Sequence, residues 1–141
     1  MRAVLDTNIL ISAFVFPGGA PEMVYRGALE GPYELVTSPS LLAELGRVLG
    51  DKFGWEASVA EAAVTQVARV GTVVRPRERL AVIADDPADD RVLEAAIEGG
   101  AEVVVSGDRH LLRLSEWGGV EVVRAAVFVD RLGPRTRPTP G

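Results

Sequence analysis

The sequence has no cysteine, one histidine (His110) and one lysine (Lys52) among its 141 residues, and these scarcities bound its chemistry. Without cysteine there are no disulfides, no thiolate nucleophile and no cysteine-bound zinc. A single imidazole also excludes a histidine-rich metal site. Any metal site must therefore be built mainly from oxygen, which favours hard ions such as Mg²⁺ or Mn²⁺. No apolar run approaches the ~18 residues of a membrane span, and the N-terminus lacks the layout of a signal peptide. A cytoplasmic protein with no membrane partner is expected. A basic surface is lacking too: the net charge of −5 argues against broad nucleic-acid binding. A cluster of metal-binding carboxylates inflates that acidic count, however, and a bound cation cancels it locally.

What remains is ordinary for a globular chain: 48% hydrophobic and 25% charged residues. The length fits one domain with a sizeable core, expected over residues 1–132. Residues 133–141, rich in Pro, Thr and Arg, are expected to form a disordered tail. Ala3-Val4-Leu5 reads as a strand buried on both faces, and Asp6 ends it. Thr7 or Asn8 can cap a following helix carrying Ile9, Leu10 and Ile11.

Further strands are expected at Tyr33–Val36, Thr72–Val74, Val103–Val105 and Val120–Val123. Helices are expected to start at Pro21, at Ser38-Pro39, around Ala60, at Asp86-Pro87, near Leu111 and at Ala125. Leu80–Ala84 reads equally as a strand or as an irregular approach segment. Strands alternating with helices give an α/β fold: a parallel sheet covered on both faces, with right-handed crossovers.

Two carboxylates occupy equivalent places. Asp6 and Asp108 each follow an apolar strand, and in an open α/β sheet the carboxyl ends of the strands face the ligand crevice. Asp108 can also simply cap the helix through Leu111. Glu44 falls ~40° from Val48 and ~60° from Leu41 around its helix, at the margin of the buried stripe. In the cluster Asp85, Asp86, Asp89, Asp90, the stripe of Val92, Leu93, Ala96 and Ile97 projects back onto Asp89, with Asp90 toward its edge. A carboxylate facing inward is costly unless paired or metal-bound. Asp89 is thus the favoured ligand and Asp90 the second choice, with Asp86 read as a cap and Asp85 as solvated. The bland alternative is that the whole cluster only complements the helix dipole. Gathered acids repel and raise one another's pKa values, a penalty that divalent cations remove. Two metals ~4 Å apart activate water and stabilise the leaving oxygen of a phosphodiester.

Four ordered segments resemble the PIN domain family, specifically its small, toxin-like, VapC-like members. They are Val4-Leu5-Asp6-Thr7-Asn8-Ile9-Leu10, Ser38-Pro39-Ser40-Leu41-Leu42-Ala43-Glu44-Leu45, Asp86-Pro87-Ala88-Asp89-Asp90-Arg91-Val92-Leu93 and Val105-Ser106-Gly107-Asp108. The resemblance implies a five-stranded parallel sheet in the order 3-2-1-4-5 and Mg²⁺- or Mn²⁺-dependent cleavage of RNA. It places the family's acids on Asp6, Glu44, Asp89 and Asp108, as catalytic and metal-binding residues, with Asn8 and Ser106 in support. It also implies a small antitoxin partner and a homodimer. His110 stands where relatives often carry another acid. Arg91, Arg109 and Arg113 flank the acids in sequence and are candidate contacts to RNA phosphates.

Two other readings compete. One is a non-catalytic RNA- or protein-binding module with the same fold. The other is a phosphohydrolase resembling the haloacid dehalogenase type, which would need a second acid where Asn8 stands and a later Asp where Leu112 stands.

Overall fold

Ala3, Val4, Leu5, Val103, Val104 and Val105 are all within 3% of complete burial, so the two runs without polar residues are the centre of the sheet. In the computed structural model, which describes residues 1–83 and 86–133, these runs form β1 (Arg2–Leu5) and β4 (Val103–Val105). They pair in parallel, with Leu5 opposite Val105. The other strands are β2 (Glu34–Thr37), β3 (Thr72–Val73), β5 (Glu116–Trp117) and β6 (Val120–Val123). The sheet order is β3-β2-β1-β4-β6-β5, parallel throughout except for β5 at one edge.

The helices are α1 (Thr7–Val15), α2 (Ala20–Glu30), α3 (Pro39–Asp51), α4 (Ala57–Val70), α5 (Pro87–Glu98), α6 (Arg109–Leu114) and α7 (Ala125–Leu132). Side chains alternate across the sheet, as strand geometry requires. Ala3, Leu5, Leu35, Val103, Val105 and Val123 pack with Leu45, Leu49, Val67 and Phe128, from α3, α4 and α7. Val4, Val36, Val104 and Val122 pack on the opposite face with Val92, Leu93, Ala96 and Leu111, from α5 and α6. Both faces of the central strands are therefore covered, and their carboxyl ends border the crevice where ligands bind in such sheets. Among the described residues no helix is long and apolar enough to cross a membrane.

The five expected strands lie in the expected order, but the sheet has six. The addition is a hairpin: β5 pairs antiparallel with β6 through Gly118-Gly119, both at positive φ (59° and 82°). Two successive left-handed residues are what a tight hairpin turn demands, and glycine adopts them without strain. The Gly-Gly pair was the available sequence signal.

Residues 80–83 form no strand. Three of their backbone donors are met by side chains of α5 in place of a sheet ladder: Glu94 Oε2 accepts from Leu80 N (2.7 Å), and Asp90 Oδ1 accepts from Val82 N (2.9 Å) and Ile83 N (3.0 Å). Ile97, expected inside, is 37% exposed, while Ala95 is fully buried, so the apolar face of α5 is rotated from the expected stripe. Neither Thr7 nor Asn8 caps α1. Asp6 holds that position, without a side-chain capping bond. The readings made for Ala84, Asp85 and residues 134–141 lie outside the described residues.

Candidate active site

Two helices begin just past the ends of neighbouring strands and a third after an irregular segment, and each brings an acid. Asp6 follows β1 and sits at the N-cap position of α1; Asp108 follows β4 and caps α6; Asp86 caps α5, with Asp89 in the first turn. Asp108 Oδ1 accepts from the amides of His110 (2.8 Å) and Leu111 (3.2 Å), and Asp86 Oδ1 accepts from Ala88 N (3.1 Å). The partial positive charge of the helix N-termini favours anions here and offsets part of their mutual repulsion. β1 and β4 are neighbours, so Asp6 and Asp108 are brought to one edge. Ser106 links them: its fully buried hydroxyl donates to Asp6 Oδ2 (2.6 Å) and accepts from Asp108 N (2.9 Å). Asn8 Oδ1 accepts from Gly107 N (3.4 Å) across the same gap.

The resulting cleft of about 360 Å³ is lined by Asp6, Asn8, Glu44, Asp86, Asp89 and Asp108 at its acidic end. Asp86, Asp89 and Asp108 each bring one carboxylate oxygen to within 4.8 Å of the others. Asp6 and Glu44 line the cavity outside that group of three. Asp86 was read from sequence only as a cap. It caps through Oδ1 and also joins the cluster with Asp89 and Asp108. Its spacing of three residues from Asp89, the N-cap and N3 positions of α5, was the usable signal.

Burial pushes Asp6 up to about 6; the Ser106 hydrogen bond opposes this, while the charges of Asp108 and Glu44 add to it. Burial also raises Asp89, up to about 8, helped by its contact with Asp108 and by the charges of Asp108, Asp86 and Asp6. Asp108 is held low: burial pushes it upward, but the contact with Asp89 and the Leu111 and His110 amides outweigh that. The contact between them thus favours the neutral form of Asp89 and the ionised form of Asp108. Glu44 is raised, chiefly by burial and secondarily by Asp86, with Arg47 opposing. The Thr7 hydroxyl makes no hydrogen bond of sound geometry, yet it stands near enough to Glu44 to favour the ionised form.

The donor set fits a hard divalent ion. It is all oxygen, and Asp89 Oδ2 is buried with no donor aimed at it. Stability should report this. The folded protein holds protons on Asp6 and Asp89 more tightly than the unfolded chain does. The metal-free protein should therefore lose stability as pH rises from about 4 to about 8, by on the order of 3 kcal/mol from Asp6 alone. Metal competes with those protons, so Mn²⁺ should raise the melting temperature more at pH 8 than at pH 5. Thermal melts in EDTA and in Mn²⁺ at the two pH values check this. A profile flat in pH and indifferent to Mn²⁺ would contradict it.

Two expected site residues serve elsewhere. Asp90 is buried and turned away from the cleft, accepting from Val82 and Ile83. Arg91 is no candidate for RNA: its Nη2 donates to Glu94 Oε2 (2.7 Å) and Leu80 O (3.1 Å), and its side chain is largely buried. Position next to an acid in sequence does not place a helical residue beside it in space, because neighbours point ~100° apart. Arg109 and Arg113 are exposed on α6.

The sequence pattern of the PIN domain matches residues 2–110. An uncharacterized protein of Methanocaldococcus jannaschii is 29% identical over 121 residues, covering 82% of this chain and 76% of the relative. Among solved structures, VapBC-1 of nontypeable Haemophilus influenzae superposes with a TM-score of 0.64 at 17% identity, over 89% of this chain and 99% of that one. VapBC2 of Rickettsia felis, bound to a DNA fragment from its promoter, gives 0.60 at 13% identity, over 88% and 98%. PAE2754 of Pyrobaculum aerophilum gives 0.63 at 17% identity, over 94% and 89%. At these identities the likeness is one of fold.

Proposed function

This chain belongs to the PIN domain family, and on that premise we propose that it is a divalent-metal-dependent endoribonuclease, the toxin of a toxin–antitoxin pair. The observation that carries the reading is the convergence of Asp6, Glu44, Asp86, Asp89 and Asp108 on one cleft, with a buried carboxylate oxygen left unpartnered. Nothing in ordinary folding energetics favours gathering five acids around a cavity. A cation explains it.

Asp86, Asp89 and Asp108 would hold that ion, Mg²⁺ or Mn²⁺, with Asp6 and Glu44 completing the acidic lining. Bound there, it supplies an activated water and neutralises charge on the phosphate under attack. Ser106 fixes the Asp6 carboxylate through its hydroxyl. The amides at the start of α6 fix Asp108, so neither acid has to be ordered when substrate arrives. Arg109 and Arg113 lie exposed on the helix that follows Asp108 and would meet backbone phosphates. The fold shared with VapBC-1 and VapBC2 supports a small antitoxin as the protein partner. A haloacid-dehalogenase-type phosphohydrolase gains no support, since the chain's family is a different one.

Incubation of the purified protein with RNA in Mn²⁺ and in EDTA tests the proposal. Internal cleavage that requires Mn²⁺ is expected. RNA binding without turnover at any metal concentration would leave the non-catalytic module as the correct reading.

A further inference from the structure

The cleft has a second half that the carboxylate chemistry does not use. Beyond the acids it is lined by Ile11, Ser12, Phe16, Val48, Lys52 and Phe53. Phe16, in the turn after α1, is 61% exposed, more than any other large hydrophobic side chain among the described residues. It stands edge-on to Phe53, with ring centroids 5.8 Å apart and planes at 78°. Lys52 Nζ lies 5.8 Å from the centre of the Phe53 ring. It is the only lysine of the chain.

We propose that Phe16, braced by Phe53 and flanked by Lys52, is a stacking platform that seats an unpaired nucleobase beside the acidic centre. This deepens the nuclease reading and rests on it. An exposed ring beside a lysine suits a nucleotide, which offers a flat π face and a negative phosphate together. Base pairing would keep that face stacked inside a duplex. A protein segment steered by the five acids would instead present cations, which Lys52 repels. Complementing the end of α3 accounts for Lys52 taken alone, but not for the exposed ring beside it.

The platform is built in advance. The α3–α4 turn that carries Lys52 and Phe53 is closed by backbone bonds from Lys52 N to Val48 O (2.9 Å), Gly54 N to Gly50 O (3.0 Å) and Trp55 N to Leu49 O (3.0 Å). Trp55 in turn packs edge-on against Phe14 of α1, at 6.4 Å, tying the two sides of the cleft together. Holding the rings apart from substrate lowers the ordering cost when a base arrives.

The test is binding of a fluorescent oligoribonucleotide, single-stranded or annealed to its complement, by the full chain in Ca²⁺, with cleavage followed separately in Mn²⁺. Phe16→Ala should weaken single-strand binding roughly 5- to 100-fold, the range for a lost base–aromatic stack. Phe16→Trp should restore it, and its new indole should be quenched by the bound base. Lys52→Ala should reduce the salt dependence of binding. Because Phe16 is exposed, these variants should keep the wild-type melting temperature. Single-strand affinity unaltered by Phe16→Ala would overturn the proposal and leave a protein segment as the occupant of this half. Equal affinity for duplex and single strand would overturn it too. Phe16-dependent binding with no cleavage in Mn²⁺ would uphold the platform while rejecting the nuclease reading.

Discussion

Asp6→Asn is expected to reduce RNA cleavage by more than about 100-fold while leaving the fold in place. Residues that merely orient metal ligands cost ~10–100-fold when replaced, and Asp6 is proposed to stand in the lining itself. The substitution is nearly isosteric, and the amide oxygen can still accept from Ser106 Oγ, which now sits 2.6 Å from Asp6 Oδ2. The second effect has the opposite sign. Burial has already pushed Asp6 up to about 6, so its ionised form opposes folding at neutral pH. Removing the charge should stabilise the metal-free protein at pH 8, by about 1–3 kcal/mol. Cleavage assays in Mn²⁺ and melts in EDTA measure the two effects on one sample. A variant that cleaves like wild type, or one that is destabilised in EDTA at pH 8, would count against the assignment.

Asp90→Ala should do the reverse of what its neighbour's substitution does. Asp90 is 2% exposed and accepts from Val82 N and Ile83 N through one oxygen. Truncation leaves both amides without an acceptor, one of them buried, at a cost of about 2–4 kcal/mol. That corresponds to a fall in melting temperature of roughly 10 °C. Mn²⁺ should not reverse it, since Asp90 is outside the cleft. Asp90→Asn keeps an amide oxygen for the two donors and should lose far less. Asp89→Asn, by contrast, should cost activity and raise the stability of the metal-free protein, because burial and Asp108 already favour its neutral form. If Asp90→Ala melted like wild type, the account of residues 80–83 as a segment held by α5 would fail.

Much of the sheet was legible because buried parallel strands show as unbroken apolar runs: Ala3-Val4-Leu5 and Val103-Val104-Val105 need no partner to be recognised. Asp86-Pro87 and Ser38-Pro39 likewise announce helix starts through local chemistry, and both side chains do cap, to Ala88 N and Leu41 N. Periodicity alone favoured Asp89 over Asp90, and the structure turns Asp89 to the cleft and Asp90 to Val82 and Ile83. Residue type alone puts Ile97 on the buried stripe, whereas the packed face of α5 takes in Ala95 and leaves Ile97 37% exposed. Arg91 was misread for a related reason: neighbours in a helix diverge, and its guanidinium follows Glu94 inward.

Read alone, the sequence excluded cysteine-bound and histidine-rich metal sites, through the lack of cysteine and near-lack of histidine. It also determined the strand–helix alternation and the acids that end the strands, since these depend on composition and on interactions a few residues apart. Only the tertiary structure decided that Asp86 joins Asp89 and Asp108, that Arg91 is spent on Glu94 and Leu80, and that Phe16 meets Phe53 beside the acids. Those contacts are set by how helices dock across the sheet. Docking depends on the joint packing of many side chains, and no local pattern along the chain carries that information.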